Sequence, residues 1–264
     1  MNFNKLNKLA WEEAFDNRKA GWGEDIADRI RNERYPFLVK DLIEELGNFD
    51  FKGKTIAQFC CNNGRELLSL FKMGAKYGVG FDIPENQVAF ANMTAQELQM
   101  NCTFIAADIL EIDNSFYNTF DFIFITIGAI TWFKDINAFF EKVSACLKEG
   151  GYVFINEQHP VTDMLAAEGE ENYDPSSPEK LVNSYFKNEP WIENNGMEYM
   201  SDSTKEYRNT FYSFSHTFAD ILNAIIKSGL QIKKLKEFEY DISGLFPDLN
   251  NRGIPLSYIL IAGK

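Results

Sequence analysis

Two hydrophobic periodicities alternate along the middle of the chain. Short apolar runs, TIAQFC, YGVGFD, CTFIAAD, FDFIFIT and GYVFINE, fall between Thr55 and Gln158 and read as strands. Between them lie segments with an apolar residue every three or four positions, the signature of amphipathic helices. Asp135 is placed to cap one of these, with Ile136, Phe139, Phe140, Val143 and Leu147 as its stripe and Gly150–Gly151 ending it. Pro84 suits the first turn of another, with Val88, Ala91, Ala95 and Leu98 along one face. Strand–helix alternation predicts a parallel sheet with helices on both faces. The near-continuous apolar strands agree, because such a sheet buries both of its surfaces.

The flanks follow other rules. Residues 1–50 read as a helical segment, with stripes around Ile26–Ile30 and Phe37–Leu46. Near the C-terminus, Phe218, Ile221, Leu222, Ile225 and Ile226 form a stripe stopped near Gly229, and two strands follow, QIKKLKEFEY and PLSYILIAG. The stretch 160–210 keeps no period. It holds turn-rich DPSSPE and ENNG, interleaved with Tyr173, Tyr185, Phe186, Trp191, Tyr199 and Tyr207. So many aromatics argue against a disordered linker. The segment is expected to cap the sheet edge where ligands bind, within one domain spanning 1–264.

Charge narrows the partners. The net charge of −13 and the absence of any basic cluster larger than a pair such as Lys233–Lys234 speak against nucleic acid and anionic membrane. Counting 160–210 gives 11 acids against 4 bases, so about half of the excess lies in the expected cap. No apolar run approaches the roughly 18 residues that cross a bilayer, and the N-terminus has no uninterrupted apolar core of a leader. Cys60, Cys61, Cys102 and Cys146 form no paired framework and read as reduced thiols of a cytoplasmic protein.

The candidate chemistry sits at strand ends. In an open parallel sheet, ligands lie beyond the carboxyl ends of the strands, where strand order reverses. The first strand runs into Cys60–Gly64 and a helix starting near Arg65, which brings free backbone N–H groups to that crevice. Asp82 ends the second strand, 18 residues past Gly64, where an acid can accept both hydroxyls of a ribose. Asp108 ends the third, where its carboxylate beside the Ile109 N–H can read an adenine edge.

Over 54–158 these residues resemble the class I S-adenosylmethionine-dependent methyltransferases, in the branch that acts on small molecules and has a Gln-Cys-containing first motif. Its motifs are matched by IAQFCCNNG, by Asp82 in GVGFD, by Asp108 in AADI, by FDFIFITIGAITWF, by KEGGYVF and by EQHP. The resemblance implies a Rossmann-like α/β fold: a seven-stranded, mostly parallel sheet with an antiparallel last strand, helices on both faces and a cap insertion. It implies S-adenosylmethionine as cofactor, S-adenosylhomocysteine as product and a small-molecule methyl acceptor. The cofactor site it implies comprises Trp11, Gln58, Cys60, Asn62, Gly64, Asp82, Ile83, Asp108, Ile109, Thr126, Ile127, Gly128 and Trp132, with no metal. The motif departs from the family at three places. Gln58 replaces an acid that can contact the methionine amino group, and Cys60 and Asn62 stand where two glycines are usual. The missing glycines also disfavour a nicotinamide enzyme, whose pyrophosphate needs their close backbone approach.

For proton transfer the candidates are His159 and Glu157, just after the fifth strand, because an imidazole titrates near neutral pH. His216 precedes a helix and reads as a capping neighbour. The rival reading is a non-catalytic sensor of S-adenosylmethionine, or a scaffold, built on the same fold.

Overall fold

The computed structural model describes residues 2–202 and 204–264. Seven strands form the central sheet: β1 (Thr55–Phe59), β2 (Tyr77–Asp82), β3 (Cys102–Ala106), β4 (Phe120–Thr126), β5 (Leu147–Gln158), β8 (Gln231–Phe238) and β9 (Ser257–Gly263). Their spatial order is β3-β2-β1-β4-β5-β9-β8. Strands β1 to β5 pair in parallel, whereas β9 runs antiparallel to both β5 and β8. Order reverses between β1 and β4, so the crevice of an open sheet lies above their carboxyl ends.

Alternation along each strand sends side chains into two cores. Ala57 and Phe59 face one side of β1, where Phe81, Ile123 and Ile155 meet helices α6 (Ile136–Cys146) and α7 (Phe218–Lys227). Ile56 faces the other, with Phe122, Phe124 and Phe154 under α2 (Ile26–Asn32), α3 (Lys40–Leu46), α4 (Arg65–Phe71) and α5 (Glu85–Glu97). The caps follow local chemistry. Asp135 accepts from the Asn137 and Ala138 N–H groups at the start of α6, and Thr217 and Asp220 close a reciprocal capping box on α7. Pro84 is the cap residue of α5, one position outside the expected first turn.

One boundary differs from the sequence reading. Helix α6 ends at Cys146, before the Gly150–Gly151 pair. Leu147 continues the helical stripe in spacing, yet it adopts extended backbone and pairs with Phe120 as the first residue of β5. The glycines lie instead in an irregularity of β5, where pairing resumes at Phe122–Tyr152.

Strand β8 is the exposed sheet edge, and its lysines protect it from further pairing. Lys234 and Lys236 each lie 2.6 Å from a carboxylate oxygen of buried Glu45, tying α3 to this edge. The chain from Pro160 to Met164 forms a 3-10 turn and then runs irregularly to a small sheet of β6 (Trp191–Glu193) and β7 (Phe211–Ser213). That second strand starts just beyond residue 210.

Helix α1 (Phe3–Asp16) is held by this insertion. Asn7 donates to the Tyr212 carbonyl and accepts the Tyr212 N–H, both at 2.8 Å, as a neighbouring strand would. The Glu13 carboxylate accepts the backbone N–H groups of Arg208 and Asn209. The same stretch of α1 is fixed to α5 by Lys8–Glu85 and by Asn86, which donates to the Glu12 carbonyl.

Candidate functional site

The turn after β1 keeps the conformation of a glycine-rich loop without most of its glycines. Cys60, Asn62 and Gly64 all have positive φ, at 58°, 50° and 80°. Asn tolerates that region, but a cysteine there carries a strain of roughly 1–2 kcal/mol. Gly64 has no substitute. A Cβ on it would sit 2.5 Å from Cε1 and Cζ of Phe104 and 3.0 Å from the Ala91 Cβ. Phe104, on β3, fills the space that Gly64 and Gly80 leave open, so α4 packs close to the sheet and its start reaches the crevice.

That turn meets Asp82. The Asn62 N–H donates to Asp82 Oδ2 at 2.5 Å and the Ile83 N–H to Oδ1 at 2.7 Å. Burial raises the Asp82 carboxyl to about 6, against the lowering effect of those two donors. Asp108 lies two residues past β3 and caps a short 3-10 turn. It accepts the Leu110 N–H at 3.0 Å and the side-chain amide of Asn4, on α1, at 2.5 Å. The Ile109 side chain is buried in the core.

Gln58 and Thr126 come together on the α2–α5 face, Gln58 Nε2 donating to Thr126 Oγ1 at 2.9 Å. Gln58 Oε1 is fully buried and has no hydrogen-bond partner among the described residues. A lone acceptor at the end of β1, beside the strained turn, fits the ammonium of a methionine moiety. A cavity of about 300 Å³ opens next to the turn, lined among others by Trp22, Asp25, Arg29, Asn63 and Arg65. Burial of the Cys60 thiol, followed by the negative charges of Asp82, Glu157 and Asp108, pushes its pKa well above the ordinary thiol value. All three strand-end carboxylates therefore lie near enough to bear on that one thiol. The residues fit S-adenosylmethionine: Asp82 can take ribose, Asp108 adenine and Gln58 the amino group.

The roof of the crevice is aromatic. Trp11 on α1 meets Trp132 edge-on at 5.3 Å and Phe211 at 5.2 Å, and Trp132 lies 5.8 Å from Phe211. Ile83, Phe15 and Met200 pack into the same cluster. Tyr199, from the insertion, accepts the side-chain amide of Asn62 at 2.8 Å and so ties the roof to the first motif. Asn4 and Phe211 carried no sequence signal, and Tyr199 only that of one aromatic among several in the expected cap, since each acts through a partner more than 70 positions away. Ile127 is more than a third exposed in the loop after β4.

The two proton-transfer candidates are engaged by other partners. Glu157 is buried, and its carboxylate accepts four backbone N–H groups, from Gly128, Ala129, Ile130 and Gln158, at 2.7–3.2 Å. Burial raises its pKa to about 7 while those donors favour the ionised form. With its oxygens so engaged it clamps the 128–130 loop. His159 is 5% exposed. Its Nδ1 accepts the Val161 N–H, and Nε2 lies 2.9 Å from Glu237 Oε1 but off the hydrogen-bond direction. Phe218 and Tyr258 pack against its ring. His216 Nε2 lies 2.8 Å from the Phe133 carbonyl, while the neighbouring Thr217 caps α7. Among the described residues there is no group of three His, Cys, Asp or Glu placed to hold a metal ion, and no helix is long and apolar enough to cross a membrane.

Comparison with known proteins agrees with this geometry. A methyltransferase-domain family model matches residues 50–213. No curated protein matches the chain. Among solved structures, an S-adenosylmethionine-dependent methyltransferase from Mesorhizobium loti superposes with a TM-score of 0.60 at 20% identity, covering 82% of this chain and 93% of its own. One from Clostridium acetobutylicum gives 0.60 at 15% identity, covering 91% and 96%. Geranyl diphosphate C-methyltransferase from Streptomyces coelicolor, solved with Mg²⁺, geranyl diphosphate and S-adenosyl-L-homocysteine, gives 0.61 at 11% identity, covering 100% and 98%. The strand order, the family match and the crevice together place the chain in the class I S-adenosylmethionine-dependent methyltransferase family.

Proposed function

We propose that this methyltransferase alkylates a small-molecule acceptor held beneath α1 and the 160–210 insertion, which acts as a cap. The observation that carries the reading is the roof. Trp11 and Phe211 are 9% and 2% exposed, α1 and the insertion grip each other through Asn7 and Glu13, and Tyr199 ties the insertion to Asn62 of the turn after β1. A crevice closed on that side suits an acceptor that fits inside it better than a polymer. The Streptomyces coelicolor protein of the same fold was solved with a small molecule, geranyl diphosphate, which supports the same reading. The acidic insertion and the ring faces favour a cationic or aromatic acceptor. The net charge of −13 disfavours nucleic acid. All four cysteines are free thiols, which supports a cytoplasmic setting.

In this reading Asp82 and Ile83 hold the ribose, Asp108 and Ile109 the adenine, and Gln58, Asn62 and Gly64 the methionine end. The cofactor supplies an activated methyl group on a sulfonium. The protein's task is to align the acceptor behind that methyl and exclude water. Trp132, Thr126, Ile127 and Gly128 border the transfer point, and Trp11 closes it. Glu157 serves by fixing Gly128–Ile130, and His159 by anchoring the turn after β5, so neither is assigned a proton.

The test is incubation of the purified protein with methyl-labelled S-adenosylmethionine and a small-molecule metabolite extract, read by mass spectrometry. Labelled products of low mass, with matching release of S-adenosylhomocysteine, support the proposal. Label found only on protein or nucleic acid contradicts it, and exclusively anionic products contradict the acceptor class.

A further inference from the structure

On the α2–α5 face the core of the central strands is a layer of Phe124 on β4 and Phe154 on β5, with Ile261 beside them on β9. One step towards the carboxyl ends, the next pair across β4 and β5 is Thr126 and Asn156, followed on β9 by Ile259. Asn156 is 5% exposed. Its amide atoms are not sealed in as Gln58 Oε1 is, and they stay open to water at the carboxyl end of the sheet. Its side chain makes no hydrogen bond to any described residue. Beside it, Thr126 Oγ1 accepts from Gln58 and keeps its own hydroxyl proton free to donate. Three neutral polar side chains thus line adjacent strands at their carboxyl ends: Gln58 Oε1 is buried without a hydrogen-bond partner among the described residues, and the Thr126 hydroxyl proton and the Asn156 amide donate to none of them. The neighbouring ionisable groups, Glu157 and His159, lie one and three positions after Asn156 and are engaged with backbone N–H groups.

We propose that Asn156 is an acceptor-positioning residue, whose amide grips a neutral group of the acceptor that both donates and accepts, a hydroxyl or a carboxamide. The inference rests on the small-molecule reading above and adds a requirement to it. Whatever cationic or aromatic body the acceptor offers to the roof, it presents a neutral hydrogen-bonding group to the floor. Gln58 serves the cofactor end of the same floor, and Asn156 the acceptor end, on the far side of β4. A pocket built around an amide discriminates strongly against analogues that leave it unpaired.

Two variants test this, each measured for stability, S-adenosylmethionine affinity and S-adenosylhomocysteine release with the metabolite extract. Asn156→Leu fills the same space without polar atoms. It is expected to leave Tm unchanged or raise it by about 2–4 °C, to keep cofactor affinity within about twofold and to lower release at least about tenfold. Asn156→Asp keeps the shape and loses the donors. It is expected to raise the extract concentration needed for half-maximal rate more than it lowers the maximal rate. A clear fall in the Tm of Asn156→Leu marks a structural role and overturns the inference. So does wild-type turnover that survives in both variants. Wild-type protein that binds cofactor yet methylates nothing in the extract removes the small-molecule reading, and this inference with it.

Discussion

Replacing Gly64 by alanine should be among the most damaging single-methyl changes available in this molecule. Two costs combine. The residue sits at φ 80°, where an L side chain costs roughly 1–2 kcal/mol. The added Cβ would also overlap the Phe104 ring at 2.5 Å and press on Ala91 at 3.0 Å. Overpacking of this kind costs roughly 1–3 kcal/mol when the neighbour can shift only by leaving its rotamer. The sum is roughly 2–5 kcal/mol, a large share of the roughly 5–15 kcal/mol that holds a domain together. In a thermal melt that is a fall of roughly 4–20 °C.

Denaturant titration followed by tryptophan fluorescence and circular dichroism gives the free energy directly. The double variant Gly64→Ala/Phe104→Leu separates the two causes. Trimming the ring relieves the overlap but leaves the backbone strain, so the two substitutions should couple by about 1 kcal/mol or more. A loss under about 1 kcal/mol in Gly64→Ala, or strict additivity in the double variant, would show that Phe104 does not impose the glycine.

Further outcomes follow from the same site. Asp82 has a folded-state pKa of about 6 against an ordinary 3.8, so its contribution to stability is present at low pH and lost as pH rises through 6. Ligand-free wild type should therefore lose stability relative to Asp82→Asn between about pH 4 and pH 6, and a flat difference in paired melts would refute the burial argument. Calorimetry should show S-adenosylmethionine affinity falling below pH 6 in the wild type only, because the proposed ribose contact needs an ionised Asp82 carboxylate. Glu157→Gln places an amide N–H against backbone donors and should destabilise the fold by about 2–4 kcal/mol; a loss near zero on denaturant titration would return Glu157 to the list of free bases. Trp11→Ala removes the centre of the roof and should cost about 3–5 kcal/mol, with faster proteolysis of the insertion as an independent readout.

The strands were legible because a buried parallel sheet leaves no other pattern. YGVGFD and FDFIFIT coincide with β2 and β4 residue for residue. The end of α6 was not, because Leu147 satisfies the helical stripe and the strand equally, and only its pairing with Phe120 decides between them. Asp82 and Asp108 could be placed from spacing alone, since strand ends fix where carboxylates stand. The part played by Glu157 could not. Its partners, Gly128 to Ile130, lie nearly thirty positions away and converge on it only once β4 and β5 are side by side. Cys60 and Asn62 concealed the loop in a different way: the letters changed while the torsions stayed those of glycine. Asn156 did leave a trace, as the one amide inside the apolar run GYVFINE.

That Asp82, Glu157 and Asp108 all bear on the Cys60 thiol has a consequence for turnover. After burial, which contributes most, their field opposes loss of the thiol proton, because it resists new negative charge there. The same field attracts a positive one. In the site proposed above, a sulfonium entering the crevice gains from it, and the neutral thioether left after transfer does not. In the proposed site the ligand thus gives up this one electrostatic contribution in the step that uses it, while its contacts through ribose, adenine and amino group are unchanged.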